Sequence, residues 1–328
     1  MRARLSALLA ILWLTLLSAT TADAQKLATD ELLSGVVAVK TFINPDGRTV
    51  EYLGREREGS GVVIDDQGLI VTIGYLMVEA HAAQVTTNDG RTVPANVVGY
   101  DQVSGFGLLQ AISPLKVRPM ALGKSADLRK GDPVIVASSG GAAAAQPARV
   151  IARREFAGSW EYLLDNAIFT APPHMEWSGA ALINRDGKLV GVGSLILNDA
   201  GGKGQPGNMF VPIDTLTPIL ADLPAQGRPS APPPPWLGLN TEEQDGRLVI
   251  TQVSPEGPAE KAGLERGDII VGVGGIAIKT LPDFYRKVWA RGAAGTTIPL
   301  DVAQDRGKRR VDVKSMNRLD HLRLKSTF

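Results

Sequence analysis

The chain has 328 residues, no cysteine, three histidines and a formal net charge of +1, with hydrophobic residues at 44% and charged residues at 21%. Those values exclude disulfides and thiolate chemistry, argue against a metal centre, and leave no basic excess of the kind nucleic-acid binding needs. The length suits two domains, each with a sizeable core.

The first two dozen residues differ from the rest. "MRAR" is a short basic head, "LSALLAILWLTLLSA" is an apolar run, and Ala22 and Ala24 are the small residues of a cleavage site. The pattern predicts a secretory signal peptide over 1–24, cut after Ala24, and hence an exported, periplasmic or extracytoplasmic protein. A retained anchor is the alternative, although the run is shorter than the ~20 residues that cross a bilayer. Losing Arg2, Arg4 and Asp23 would take the formal charge from +1 to 0. The basic tail at 316–328 reads as a loose, solvated end, so membrane contact is not expected.

From residue 31 the chain is strand-like. "LSGVVAVKTFI", "GSGVVID", "LIVTIG", "AAQVTT", "VPANVVGY", "GDPVIVAS", "ARVIARREF" and "KLVGVGSLIL" are short β-branched runs separated by turn signals such as "NPDGRT", "DDQG" and "NRDG". Many short strands at this spacing predict an antiparallel barrel or sandwich. "SADLRKGD", "EAHAA" and "IDTLTPILADL" read as brief helices. The prolines at 232–235 sit in a 223–235 segment that predicts a semi-rigid linker. After it, "GRLVITQV" and "DIIVGVGG" are strands and "PAEKAGLERGD" a short helix. "LPDFYRKVWARG" is a helix starting near Asp283 and ending at Gly292, and "TTIPLDVAQDRGKRRVDVK" is a hairpin.

The strings "GSGVVIDDQGLIVT", "NDGRTVPANVVGYD", "LGKSADLRKGDPVIVAS" and "SGAALINRDGKLVGV" make residues 31–222 resemble the trypsin-like protease domain of the HtrA/Deg family. "VSPEGPAEKAGLERGDIIVGVGG" makes 236–315 resemble its PDZ domain. The resemblance implies a mostly β fold, a trypsin-like double β-barrel followed by a small α+β module. It also implies a homo-oligomer, a trimer in the family's usual form, and no cofactor or metal.

Active members of such a family use a Ser-His-Asp triad, in which the histidine takes the serine's proton and the aspartate orients the histidine. Carried over residue by residue, the histidine place holds Tyr75 in "TIGYLM" and the aspartate place holds Gly105 in "VGYDQVSGFGLLQ". The serine survives as Ser178 in "EWSGA", where Glu176 and Ala180 replace glycines of the motif. A phenol that titrates near ~10 is a poor base at neutral pH, and a glycine orients nothing. Glu176 would put a carboxylate beside the oxyanion site. Activity would then need Tyr75, Gly105 and Glu176 all restored. His174 and His81 are weaker candidates for a replacement base.

The PDZ resemblance implies a peptide site. Leu237, Gly238 and Leu239 in "WLGL" would offer backbone N–H groups to a terminal carboxylate, and Phe284 and Val288 would line the groove. These residues point to a pseudoprotease that binds C-terminal peptides or unfolded polypeptides without cleaving them. Two other readings stay open: a serine endopeptidase of envelope protein quality control using Ser178 with an atypical base, and a PDZ-containing structural adaptor.

Overall fold

The computed structural model describes residues 27–304 and 307–324. The expected signal peptide, and Asp305 and Arg306 of the expected last turn, lie outside them.

Six strands close a first barrel: β1 (Val36–Ile43), β2 (Glu56–Val63), β3 (Leu69–Ile73), β4 (Ala80–Thr86), β5 (Thr92–Tyr100) and β6 (Phe106–Ala111), in the order β1-β2-β3-β6-β5-β4. Alternation gives β1 an inward face, on which Val37, Val39, Thr41 and Ile43 are buried. Six more strands close a second barrel in the order β10-β11-β12-β9-β8-β7. They are β7 (Pro133–Ala137), β8 (Ala145–Gly158), β9 (Tyr162–Ala171), β10 (Ala181–Ile183), β11 (Leu189–Leu197) and β12 (Gly207–Pro212). One apolar cluster runs through both barrels, from Val36, Val71 and Phe106 to Phe169, Val192 and Val211, and fixes their mutual position.

The third unit is a sheet in the order β13-β14-β15-β17-β18, with β13 (Leu239–Gln244) on its edge. The others are β14 (Arg247–Val253), β15 (Ile269–Val273), β17 (Thr297–Gln304) and β18 (Gly307–Lys314), and the short β16 (Ile276–Ala277) pairs with β15. Its main helix, Leu281–Trp289, is capped by Thr280, whose hydroxyl accepts from Asp283 N–H at 3.3 Å. Leu281, Phe284, Tyr285 and Val288 recur on one face of that helix and are buried.

The double-barrel and PDZ-like architecture is the expected one, and two local expectations need correcting. "EAHAA" is strand β4, held between β1 and β5, because sheet pairing overrides the helix preference of its alanines. The proline segment, expected as a semi-rigid linker, is tied to the third unit: Pro233 C=O accepts from Ala294 N–H, and Trp236 and Met316 bridge each other's backbones. The tail is not loose through residue 324. Asn317 caps a short helix, Arg318–His321, and His321 is buried against the Trp236 ring at 4.7 Å. Beyond it Arg323 N–H donates to the Glu79 carboxylate at 2.6 Å.

Candidate functional site

The two barrels meet where the turn after β3 faces the turn before β10. Gly74–Leu76 forms a tight turn whose backbone is pinned by the buried Arg57: its guanidinium donates to Tyr75 C=O at 2.7 Å and to Val78 C=O at 3.2 Å. Opposite, Gly179 takes φ +74, and a Cβ there would lie 1.9 Å from Ser60 C=O, so only glycine fits the turn that presents Ser178. Ser60 N–H donates to Ser178 C=O at 2.8 Å and locks the turn to β2.

The structure brings Tyr75 and Ser178 together. The Tyr75 phenolic oxygen lies 2.8 Å from Ser178 Oγ and 2.9 Å from Ser194 C=O. A phenol has one proton, and a carbonyl can only accept. With both contacts made as hydrogen bonds, Tyr75 donates to Ser194 and the Ser178 hydroxyl donates to Tyr75. Burial pushes the Tyr75 phenol up to about 12, although its bond with Ser178 pulls the other way. At pH 7 the phenolate fraction is then about 10⁻⁵, so the serine's proton faces an oxygen that does not take it.

Gly105 lies beside this turn. Its C=O accepts from Gly74 N–H at 2.7 Å, its N–H donates to Asp101 C=O at 2.8 Å, and its φ is +83. Asp101 is a turn residue whose carboxylate accepts from Val103 and Ser104 N–H. The space a side chain at 105 would enter is filled: a Cβ there would sit 3.1 Å from the Tyr162 hydroxyl and 3.4 Å from its ring. Tyr162 is itself fixed, donating to Ser104 C=O at 2.5 Å and stacked on Trp160 with centroids 5.9 Å apart.

Glu176 turns toward Ser138, whose hydroxyl donates to its carboxylate at 2.6 Å. His174 Nε2 lies 3.2 Å from the same Ser138 oxygen, and burial lowers the pKa of its imidazole. The partner of this imidazole is thus Ser138. His81 is exposed on β4, and Ala180 is fully buried.

The "WLGL" loop is a carboxylate cradle, and a carboxylate is in it. Glu161 accepts from Leu237 N–H at 2.9 Å, Gly238 N–H at 2.7 Å and Leu239 N–H at 2.9 Å. Gly238 adopts φ +79, which turns successive N–H groups to one side. Burial raises the Glu161 carboxyl to about 7, against the pull of the three N–H donors and of Arg318. Phe284 and Val288 are not an open groove wall, being 0% and 1% exposed. They lie in the core of the third unit, and the helix that carries them packs against β8 and β9 of the second barrel, with Leu163 buried in the same cluster and Ala157 packed against it. Glu161, Tyr162 and Arg57 escaped sequence reasoning because none sits in a motif, and Ser138, the last residue of "LGKSADLRKGDPVIVAS", because nothing in that string marks it as a site residue. The turn "GSWEYL" between two apolar runs was the one local signal of the β8–β9 hairpin.

Among the described residues, no group of three or more His, Cys, Asp or Glu could hold a metal, and no helix is long and apolar enough to cross a membrane.

A profile described as a trypsin-like peptidase domain matches residues 59–192, and one described as a PDZ domain matches 235–315. The putative serine protease HhoA of Synechocystis sp. is 30% identical over 308 residues, covering 81% of this chain and 73% of that protein. The periplasmic pH-dependent serine endoprotease DegQ of Escherichia coli is 28% identical over 267 residues, 75% of this chain and 56% of its own length. A solved structure described as the HtrA-type protease AlgW with decapeptide superposes with a TM-score of 0.53 at 20% identity, over 88% of this chain and 97% of that one. That likeness speaks for the fold alone, whereas the sequence identity to HhoA runs through both domains. The chain belongs to the HtrA/Deg family, with a trypsin-like peptidase domain followed by a PDZ domain.

Proposed function

We propose that this protein is an exported HtrA/Deg pseudoprotease that binds polypeptide C-termini or unfolded chains through its PDZ domain and does not cleave them. The observation that carries the proposal is the Tyr75–Ser178 contact of 2.8 Å. In this reading Tyr75 and Gly105 stand where the family's histidine and aspartate act, and Glu176 stands where a glycine shapes the oxyanion site. A phenol pushed up to about 12 accepts a hydrogen bond from the serine but is too weak a base to take its proton. Tyr162 fills the room an acid would need. His174 supports no rescue, since its ring bonds Ser138.

Peptide binding is supported by the cradle formed by Leu237, Gly238 and Leu239, whose three N–H groups already hold a carboxylate. Export is supported by the basic, apolar and small-residue pattern of residues 1–24, and one relative is named as periplasmic.

The experiment is active-site labelling of the purified protein with a fluorophosphonate, together with casein cleavage against a Ser178→Ala control. We expect neither labelling nor cleavage above the control. Labelling at Ser178 with serine-dependent cleavage would establish instead an endopeptidase with an atypical base, the activity for which the relatives are named.

A further inference from the structure

The turn that joins β8 to β9 is seated in the PDZ groove in the manner of a ligand. A peptide that binds such a groove adds a strand to the sheet edge and ends in a carboxylate held by backbone N–H groups. One chain holds a carboxylate in the N–H cradle and makes one backbone bond at the sheet edge. Strand β13 is the sheet edge, and its Thr241 N–H donates to Ser159 C=O at 2.9 Å. Two residues further along the turn, the Glu161 carboxylate receives the N–H of Leu239, which lies two residues back along β13, at 2.9 Å. One contact is backbone to backbone and the other backbone to side chain, and together they run antiparallel to β13, the direction a ligand strand takes.

The helix side is engaged as well. The Tyr285 hydroxyl donates to Gly158 C=O at 2.7 Å and accepts from Glu161 N–H at 3.1 Å. Glu161 itself has φ +59, a left-handed conformation that a side chain with a Cβ adopts at a cost. A strained residue persists where its surroundings over-determine it, and here those surroundings are the three N–H groups of the cradle.

We propose that Glu161 and its turn are an internal ligand of the PDZ domain, occupying the carboxylate cradle and the β13 edge until a polypeptide with a free C-terminal carboxylate displaces them. This rests on the reading of the domain as a binder of C-termini, and it adds how that site is regulated: the resting groove is shut, and binding in trans requires the barrel and the PDZ sheet to part along this seam.

The test uses the mature full-length chain, as wild type, Glu161→Ala and Glu161→Gln. Each is titrated calorimetrically with a peptide ending in an apolar residue, as the free acid and as the amide. Amide hydrogen exchange at Leu237, Gly238 and Leu239 is followed in parallel. We expect Glu161→Ala to bind the acid at least tenfold tighter than wild type, Glu161→Gln to fall between them, and the amide to bind weakly to all three. Exchange at the three amides should be slow in wild type and fast in Glu161→Ala. Equal acid affinity in wild type and both variants overturns the internal ligand. If no chain binds the acid, the C-terminus reading fails instead, and exchange decides: protection lost only with Glu161 keeps the internal ligand, and unchanged protection overturns it. Should Glu161→Ala not fold, the same outcomes are read from Glu161→Gln, which keeps the side chain's size.

Discussion

Gly105→Asp is the substitution that would restore an acid beside Tyr75, and the packing around it argues that the protein cannot accommodate one. At φ +83 a side chain costs about 1–2 kcal/mol in left-handed strain. Its Cβ would meet the Tyr162 hydroxyl at 3.1 Å, and forcing extra volume into a fixed core costs about 1–3 kcal/mol more. The backbone cannot flip to escape, because Gly105 N–H and C=O are both bonded, to Asp101 and Gly74. The sum is about 2–5 kcal/mol, which at about 2–4 °C per kcal/mol lowers the melting midpoint by about 4–20 °C. Thermal unfolding of wild type, Gly105→Ala and Gly105→Asp would measure it, with Gly105→Ala losing about 1–2 kcal/mol by strain alone. A double-mutant cycle with Tyr162→Phe should give a coupling of about 0.5–1 kcal/mol, since the nearest atom to the new Cβ is then gone. For the same reason Tyr75→His, Gly105→Asp and Glu176→Gly combined should leave casein uncut. A Gly105→Asp chain that melts with wild type, or a triple variant that cleaves casein through Ser178, would refute the argument.

Tyr75→Phe removes a hydroxyl bonded to Ser178 and to the backbone of the buried Ser194, and should destabilise the chain by about 1–3 kcal/mol by urea denaturation while leaving Ser178 unlabelled by fluorophosphonate. Tyr75→His alone should show no casein cleavage above Ser178→Ala, because its imidazole would have no acid to orient it. Burial, with Arg48 and Lys261 nearby, depresses the His321 imidazole to about 4, while Glu256 and Glu79 pull the other way. The native ring is therefore neutral where the unfolded one binds a proton. Stability is full above about pH 6.5 and should fall by roughly 1–3 kcal/mol as pH drops toward 4. His321→Phe, which keeps a ring against Trp236, should flatten that slope in denaturation measured across the window.

Much of the fold was written in local pattern. The alternation of "VVAVKTFI", the turn at "NRDG" and the helix in "LPDFYRKVWARG" each carry their own signal, because pleat, turn and helix ends are set by neighbours in sequence. The positions of Tyr75, Gly105 and Ser178 were legible through the strings around them. What those positions can do was not. That the phenol bonds Ser178, and that Tyr162 fills the space at Gly105, are facts of packing between segments about sixty to a hundred residues apart. Strand β9, which carries Tyr162, was missed, and Glu161 with it: a lone glutamate in a hairpin turn reads as solvated until the fold sets three amides against it. The "WLGL" loop reads as open in the sequence, since nothing in it shows the Glu161 carboxylate that the fold sets against its amides.

The short tethers of the PDZ domain have a further consequence. Its inbound segment leaves the first barrel at Gly227, whose C=O accepts from Tyr100 N–H, and its outbound segment returns there at Arg323, bonded to Glu79 and Asn44. The residues between Gly227 and Trp236 can reach at most about 29 Å when fully extended, so with both anchors made the domain never travels far from the first barrel, nor from the second barrel packed on it, which carries Glu161. A competitor confined in this way acts at a local concentration of order millimolar. A micromolar C-terminus in solution is then outnumbered roughly a thousandfold before any contact energy is counted. The groove is in effect set to ignore dilute, well-folded neighbours and to answer only to chain ends that bind tightly or arrive crowded together.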